Sequence, residues 1–364
     1  MESSHQCGKD ISIIKHKDLN NLPRKHATIS FVVITNALRV DRLIDLFMQL
    51  TPLKDELVVI LDNADVSVKD ILSKYADKVV CIPGKGSLEA YIGDIFWHCT
   101  QDWIFRVDDD ETLNPDCSRE LLQHYVSNRN ITSYWIPTRW YINKEEYICT
   151  EPWLPDYHLR LFRNEPGIIT LPSGIHQHLG VAGNSERIND LYLCHWNLVF
   201  DTREKRMEKV DHYNKLLPEN GNDAYYLYED QSYDIIKEHI TSDKGPSKTS
   251  RVQIPDILKA GLSYIIEVRL YIENEHAISI INNNDNVYAS YHWYGEDKTL
   301  YQWDNSRVAI PRNCMNGQYR ILMPIQLPLE PGVYYFQVDI VEESVQWFSN
   351  SGIMIMELVR VEIE

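Results

Sequence analysis

The chain has 364 residues, with 36 basic and 53 acidic side chains and a formal net charge of −17 at pH 7. This length predicts two domains, because a domain usually holds about 100–200 residues. The shares of hydrophobic residues (44%) and charged residues (24%) are typical of a folded protein and argue against disorder. No basic stripe occurs in this acidic sequence, which argues against a nucleic-acid-binding protein.

Neither a signal peptide nor a membrane-spanning helix is predicted. The sequence has no run of about 18 apolar residues, and residues 1–25 are polar throughout. The seven cysteines are scattered, without a Cys-x-x-Cys pair. That pattern is typical of a reducing compartment rather than of a disulfide framework or a structural zinc site. We therefore expect a cytoplasmic protein, with peripheral attachment to the inner face of a membrane left open.

After an N-terminal extension (residues 1–27), strand and helix patterns alternate. Each predicted strand is a short apolar run rich in β-branched side chains, as in buried parallel strands. These runs are residues 29–35, 57–62, 79–83 and 103–107. Helices are predicted between them, one on the apolar face from Val40 to Leu50 and one after a capping Ser87. This alternation predicts a parallel α/β sheet.

The pattern changes in the second half of the chain. A charged helix is predicted at about residues 202–217, and a polar stretch containing Gly and Pro predicts a linker within 241–260. Beyond it, apolar and polar residues alternate, as in strands with one buried face. Such strands begin at Ile266 and recur at 287–294, 319–325, 333–341 and 353–363. We expect an α/β domain over residues 28–240 and an all-β, immunoglobulin-like sandwich over 261–364.

Acidic residues follow two of the predicted strands. Asp62 ends the second strand, and residues 108–111 (DDDE) follow the fourth. Ligands of open parallel sheets bind beyond the carboxyl ends of the strands. Asp108 and Asp110 alternate on an extended segment, and carboxylates of this kind hold Mg²⁺ or Mn²⁺, which bridge diphosphate oxygens. A solvated acidic turn is the alternative interpretation.

Several other sites are excluded by their missing motifs. The chain has no GxxxxGK[ST] sequence, and Gly84-Lys85-Gly86 lacks the third glycine of a dinucleotide fingerprint. No Gly-x-Ser-x-Gly elbow is present, which argues against a serine hydrolase.

Four segments, in this order, resemble the core of a family-2 glycosyltransferase with the GT-A fold. They are residues 31–36 (FVVITN), 61–63 (LDN), 102–111 (DWIFRVDDDE) and 153–164 (WLPDYHLRLFRN). The last is similar to the PDYQxRLFR segment of lipopolysaccharide-core-type bacterial members. Residues 174–176 (GIH) resemble the VHE element that follows it in that group.

The resemblance implies a nucleotide-sugar donor, first of all a UDP-sugar, and a glycan or glycoconjugate acceptor. Asp62 would contact the nucleobase or ribose of the donor. The residues expected at the donor site are Thr35, Asn36, Asp62, Lys85, Asp108 and Asp109.

The resemblance also implies a divalent cation, Mn²⁺ or Mg²⁺. Asp108 and Asp110 would form the DxD pair, with Asp110 as the direct ligand, and His176 would approach the metal from the other side. Gln177 stands where the family usually has an acid, which makes His178 a rival ligand.

Family-2 enzymes invert the anomeric centre in one displacement, which needs a general base and a cation at the departing diphosphate. Asp156 is the expected base, and Glu151 is the second candidate. Arg160 and Arg163 either bind phosphate or form salt bridges with the acidic residues. Three tryptophans either stack on sugar rings or belong to the core: Trp135, Trp140 and Trp153.

The segment after His195-Trp196 resembles the H…K…Y tail of the family. The resemblance ends at Tyr213. The basic residues of this segment lie on the predicted charged helix and are Arg203, Lys205, Arg206 and Lys209. A solvated charged face is the alternative for these residues.

Three C-terminal segments resemble the β-sandwich of O-antigen ABC-transporter ATPases, which recognises glycan ends. They are residues 291–293, 331–334 and 345–348. The resemblance implies that a face carrying Tyr288, Trp293 and Trp303 stacks on sugars. The alternative is that the sandwich serves as a docking or oligomerisation module.

The sequence therefore favours an inverting, metal-dependent glycosyltransferase that acts on a bacterial glycan or glycoconjugate. The alternative is an inactive carbohydrate-binding or assembly protein with a GT-A-like domain. A metal-dependent phosphate-ester hydrolase would need further carboxylates on neighbouring strand ends.

Overall fold

The computed structural model describes residues 26–62, 66–82, 93, 98–171, 179–216, 223–237, 250–255, 257–312, 317–354 and 356–364. Within these ranges the chain forms an N-terminal α/β part and a C-terminal β part. The predicted helix after Ser87 lies almost entirely outside the described residues.

A nine-stranded sheet forms the centre of the α/β part. In chain order, the strands of this part are β1 (Ile29–Thr35), β2 (Glu56–Asp62), β3 (Lys78–Ile82), β4 (Trp103–Asp108), β5 (Glu111–Leu113), β6 (Ile131–Trp140), β7 (Glu146–Ile148), β8 (Asp156–Arg163), β9 (Ile169–Thr170), β10 (Gly180–Val181), β11 (Asn184–Arg187), β12 (Leu193–His195) and β13 (Ile235–Lys237). The large sheet has the order β3-β2-β1-β4-β8-β6-β12-β5, with β11 also paired to β6.

This sheet is mixed, which corrects the expectation of a parallel sheet. Strands β1 to β4 are parallel, but β8 pairs antiparallel with both β4 and β6. The connection from β6 to β8 holds only the short strand β7, and no helix crosses over between them. Strands joined without a crossover return antiparallel. The resulting α/β domain has the GT-A-like arrangement that the resemblance implies.

Among the described residues, six α-helices accompany these strands. They are α1 (Val40–Leu50), α2 (Val66–Leu72), α3 (Arg119–Val126), α4 (Asn197–Phe200), α5 (Arg203–Leu216) and α6 (Asp223–Tyr226). Helix α1 buries its apolar face, including Leu43 and Phe47, against the sheet, as its spacing predicts. The Ser118 side chain caps α3 by accepting a hydrogen bond from the Leu121 N–H. The charged helix predicted at 202–217 is confirmed as α5.

In the described residues of the C-terminal part there are two sheets and one α-helix. Its elements are β14 (Arg251–Gln253), β15 (Ser263–Tyr271), α7 (Glu275–Asn283), β16 (Val287–Tyr294), β17 (Leu300–Gln302), β18 (Val308–Ala309), β19 (Gln318–Gln326), β20 (Gly332–Glu342), β21 (Gln346–Trp347) and β22 (Val359–Ile363). One sheet has the order β14-β15-β19 and the other β17-β16-β20-β21, with β18 on β16 and β22 on β20. Side chains of both sheets, such as Val268 and Phe336, share one hydrophobic core.

Three details of this part differ from the expectations. Helix α7 interrupts the predicted all-β pattern: Asn274 caps it, and Ala277 and Ile281 pack one turn apart in the core. The strand predicted over residues 353–363 is confirmed only from Val359 onward. Strand β14 lies inside the segment expected to be a linker and pairs with β15.

The two parts contact each other through buried side chains. Tyr141, Tyr147 and Tyr192 of the α/β part form one apolar cluster with Leu322 of β19. Arg139 of β6 forms an ion pair with Glu267 of β15, and both side chains are buried. Within the described ranges, no helix is long and apolar enough to cross a membrane.

Candidate active site

Three parallel strands deliver side chains to one edge of the large sheet. Thr35 pairs with Leu61 at the end of β2, and Ile34 pairs with Asp108 at the end of β4. Asp62 and Asp108 therefore lie on either side of the end of β1, as the strand pattern predicts. Asn36 follows β1 at the surface and accepts a hydrogen bond from the Leu38 N–H (3.2 Å).

Asp108 is bound by an arginine of the neighbouring antiparallel strand. Arg160 of β8 donates to Asp108 Oδ2 (2.8 Å) and to Glu111 Oε1 (2.6 Å), and its side chain is buried. Burial opposes ionisation of Asp108, but Arg160 and Arg106 outweigh it and lower its pKa. Burial raises the pKa of Glu111 to about 8 against the opposing effect of Arg160. Of the two roles left open for Arg160, the structure shows the salt bridge to the acidic residues.

Asp109 points back to the end of β1. The Thr35 hydroxyl donates to Asp109 Oδ2 (2.5 Å) and accepts a hydrogen bond from the Ala37 N–H (2.9 Å). Burial and the neighbouring Asp110 raise the pKa of Asp109 to about 6. Two of the expected donor-site residues, Thr35 and Asp109, are thus in direct contact.

Asp110 lies beside a histidine that is distant in sequence. Strand β12 pairs with both β5 and β6, and this pairing places His195 opposite Glu111 on one side and Trp140 on the other. His195 Nε2 is 3.6 Å from Asp110 Oδ2, and both side chains are nearly buried. The Asn197 amide lies 3.4 Å from the same carboxylate oxygen. Burial lowers the pKa of His195, while Asp110 opposes that effect, so the neutral imidazole is favoured.

Asp156, at the start of β8, is held by two side chains. The Trp140 indole N–H donates to Asp156 Oδ2 (2.8 Å), and His158 Nε2 lies 3.0 Å from Asp156 Oδ1. Burial alone would raise the pKa of Asp156, but His158 and Trp140 lower it below its ordinary value. Asp156 is therefore a carboxylate at neutral pH.

Trp140 connects the two acidic positions. Its ring lies 4.0 Å from the His195 ring, and its indole N–H binds Asp156. Asp110, His195, Trp140 and Asp156 thus form a continuous row of contacting or neighbouring side chains.

A lysine from helix α5 supplies positive charge next to this row. Lys209 Nζ lies 4.5 Å from the centre of the Tyr226 ring, and Tyr226 itself packs against Trp140. Burial would lower the pKa of Lys209, but Tyr226 and Asp110 raise it above its ordinary value. Lys209 is a cation close to Asp110.

Residues 32–177, less than half of the chain, match the family model described as Glycosyl transferase family 2. The chain carries a family-2 glycosyltransferase domain. Glycosyl transfer is accordingly the enzyme class of this protein. A search of curated proteins returns no match.

Three solved structures are similar to the chain at low sequence identity. The mannosyltransferase PcManGT from Pyrobaculum calidifontis, in complex with GDP-Man and Mn²⁺, is 10% identical over 59% of this chain and 74% of its own (TM-score 0.35). S. aureus TarS is 10% identical over 92% of this chain and 77% of its own (TM-score 0.34). Glucosyl-3-phosphoglycerate synthase from Mycobacterium tuberculosis, in complex with Mn²⁺, UDP and phosphoglyceric acid, is 14% identical over 46% and 70% (TM-score 0.31).

Some expected site residues of the glycosyltransferase domain are not part of this row. Glu151 is exposed in the turn before β8. Trp153 is fully buried and donates to the Tyr225 carbonyl (3.0 Å), so it is a core residue. Arg163 donates to the backbone carbonyls of Ile131 and Asn128. Three expected residues, Lys85, His176 and the rival ligand His178, lie outside the described ranges, as does Gln177.

The structure also brings together residues that the sequence did not assign to the site. From the sequence, His195 ends an apolar run and Lys209 belongs to the segment that resembles the family's H…K…Y tail, but neither residue is among those expected at the site. His158 and Asp156 share one face of β8, because side chains alternate along a strand. That alternation was the available signal for His158, whereas the position of His195 depends on the pairing of β12.

Proposed function

We propose that this glycosyltransferase transfers a sugar from a nucleotide-sugar donor, first of all a UDP-sugar, to a hydroxyl group of a glycan or glycoconjugate. The transfer is a single displacement that inverts the anomeric centre. The supporting observation is the row from Asp110 through His195 and Trp140 to Asp156, in which the Trp140 ring packs against His195 and its indole N–H binds the ionised carboxylate of Asp156.

The residues around Asp110 fit a divalent cation. Asp110 Oδ2 and His195 Nε2 are 3.6 Å apart, and two donors bound to one ion at about 2.1 Å each lie about 3–4 Å apart. Two buried atoms, His195 Nδ1 and Asn197 Oδ1, have no hydrogen-bond partner among the described residues, so this pocket is polar and incompletely satisfied. Carboxylate and imidazole together suit Mn²⁺ or Mg²⁺.

No larger metal cluster accompanies this pair. Groups of three or more His, Cys, Asp or Glu side chains suited to one ion are absent from the described ranges. Such ions commonly take one or two protein ligands and complete their shell with water and substrate phosphates. When bound, the ion would neutralise the negative charge that develops on the leaving diphosphate.

The protein's own residues have separate roles in this proposal. Asp62, Thr35 and Asp109 bind the nucleoside part of the donor at the carboxyl ends of β1 and β2. Lys209 offsets the charge of the diphosphate. Asp156 supplies the negative charge of the general base on the acceptor side. The ion pairs of Arg160 with Asp108 and Glu111 hold the acidic loop in position.

We also propose the domain limits that the sequence indicates, 28–240 for glycosyl transfer and 261–364 for an immunoglobulin-like β domain. The similarity of residues 153–164 to lipopolysaccharide-core-type enzymes supports a bacterial surface glycan as the acceptor class. The face of the β domain that carries Tyr288 and Trp303 is proposed to meet that glycan. Trp293, also expected on this face, is instead buried in the hydrophobic core and is not part of the proposal.

A thermal-shift panel tests the proposal. UDP-, GDP-, dTDP- and CMP-sugars are added with and without Mn²⁺, and one nucleotide class is expected to raise the Tm only when the metal is present. Asp110→Ala is expected to lose this shift, while Asp45→Ala, on the exposed face of α1, keeps it. If no nucleotide shifts the wild type but a glycan does, the binding-protein alternative replaces glycosyl transfer.

A further inference from the structure

Both carboxylate oxygens of Asp156 already have partners. The Trp140 indole N–H occupies Oδ2 and the His158 imidazole occupies Oδ1. The Asp156 side chain is 11% exposed, whereas that of His158 is 31% exposed. Of this pair, the imidazole is thus the group that an incoming acceptor can reach.

We infer that His158 is the group that takes the proton from the acceptor hydroxyl, and that Asp156 orients and stabilises it. This inference rests on the proposed glycosyl transfer and deepens it, by naming the atom that receives the proton. The arrangement is a carboxylate–imidazole pair, in which the buried acid fixes the tautomer and the exposed ring performs the proton transfer.

The tautomer follows from the hydrogen bond. An ionised carboxylate only accepts hydrogen bonds, so Nε2 of His158 carries the hydrogen that points to Asp156. The lone pair of a neutral imidazole is then on Nδ1. The acceptor O–H bond breaks, its proton forms a bond to Nδ1, and the acceptor oxygen attacks the anomeric carbon. The bond from that carbon to the diphosphate breaks, and its electron pair leaves with the diphosphate.

Charged and titratable groups on three strands lie near His158. Asp156 is its hydrogen-bond partner on β8, and Asp108 on β4 is close enough that His158 contributes to lowering its pKa. Against these two carboxylates stand Arg160, which is bound to Asp108 and Glu111, and His195, whose buried ring favours the neutral form.

The same position distinguishes this chain from the segment it resembles. The PDYQxRLFR pattern has Gln where this chain has His158. A carboxamide donates and accepts hydrogen bonds but does not take up a proton near neutral pH, whereas an imidazole does. His158→Gln therefore keeps a donor for Asp156 and removes only the proton acceptor.

The experiment measures kcat, KM and donor binding separately. His158→Gln is expected to lower kcat by about 10²- to 10⁴-fold, the usual contribution of general base catalysis. The metal-dependent thermal shift with the donor and the Tm of the free protein should stay as in the wild type. His212→Gln, on the exposed face of α5, is the matched control and should keep wild-type kcat.

A double-mutant cycle with Asp156→Asn tests the pairing. If the two side chains act as one base, the double variant should be no slower than His158→Gln alone within about threefold. A second variant, His158→Gly, should regain activity when imidazole is added, which a purely structural role would not produce.

Two results would overturn the inference. One is a kcat of His158→Gln within about threefold of the wild type while Asp156→Asn is inactive, because Asp156 would then take the proton directly. The other is independent effects that multiply in the double variant. Failure of glycosyl transfer itself is seen separately, since the wild type would then show neither a donor-dependent shift nor product.

Discussion

Arg139 and Glu267 form an ion pair across the two parts of the chain, and water reaches neither side chain. Glu267 Oε1 also forms ion pairs with Arg269 Nε (2.8 Å) and Arg320 Nε (3.1 Å). Burial and the adjacent Arg320 lower the pKa of Arg269 to about 10. Arg139 precedes Trp140 on β6, so the C-terminal part is fixed to the strand that carries the indole at the site.

Removing the negative charge of this network should destabilise the whole protein. Glu267→Gln leaves three arginines facing a neutral side chain, and losing one partner of a buried ion pair costs about 3–5 kcal/mol. Urea unfolding should show a lower midpoint and a free energy of unfolding that is smaller by about 3–5 kcal/mol. Glu362→Gln, whose side chain is 71% exposed, serves as the control and should not change the midpoint measurably. A Glu267→Gln midpoint equal to that of the control would contradict the role of the network.

Replacing Arg160 should affect both stability and the acidic loop. Arg160→Met removes the arginine that Asp108 and the buried Glu111 share, with an expected loss of about 3–5 kcal/mol. Arg160→Lys should recover only part of this, because a lysine lacks the planar fork that reaches two carboxylates.

Thermal unfolding compares the two Arg160 variants, with Arg360→Met at an exposed pair as the control. If Arg160→Lys is as stable as the wild type, the stabilisation does not depend on the guanidinium group of Arg160 binding two carboxylates at once.

Local sequence patterns predicted most of the α/β part. Strand β1 was predicted with its observed bounds, and β2, β3 and β4 within one or two residues, because buried strands are uninterrupted apolar runs. Helix α7 was missed because only Ala277 and Ile281 contribute its clearly buried apolar face, which is too little for a helical period to stand out.

Contacts between distant segments could not be read from the sequence. Glu267 alternates with Ile266 and Val268, a pattern that predicts an exposed position, but the α/β part covers that face. His195 reaches Asp110 only because β12 inserts between β5 and β6. Alternation and apolar runs indicate whether a residue is buried within its own element. The surroundings of Glu267 and His195 depend instead on which distant elements pair or pack together.

Cysteine reactivity gives a test of the fold that does not depend on the proposed activity. Burial raises the pKa of Cys99 to about 12, and the thiol is almost inaccessible, whereas Cys81 is exposed at the end of β3. Only thiolates react rapidly with alkylating reagents. At pH 8 and without denaturant, mass spectrometry should find Cys81 modified at least tenfold faster than Cys99. In urea the two rates should become similar; early modification of Cys99 in the folded protein would contradict its placement.

Lys209 is expected to bind the diphosphate of the donor rather than its sugar or its nucleobase. Its ammonium group is held by Tyr226 close to Asp110, and a charge-assisted hydrogen bond to phosphate contributes about 1.5–3 kcal/mol. Lys209→Met keeps the length of the side chain and removes its charge. The dissociation constant for the nucleoside diphosphate should rise about 10- to 100-fold, since each 1.4 kcal/mol corresponds to a factor of ten.

The choice of ligand separates this role of Lys209 from a structural one. Calorimetry with the nucleoside alone should give the same affinity for wild type and Lys209→Met, because the nucleoside carries no phosphate for Lys209 to contact. Lys205→Met, on an exposed position of the same helix, should bind both ligands as the wild type does. Equal losses for nucleoside and nucleoside diphosphate would instead show that Lys209 supports the shape of the site through Tyr226, without binding phosphate.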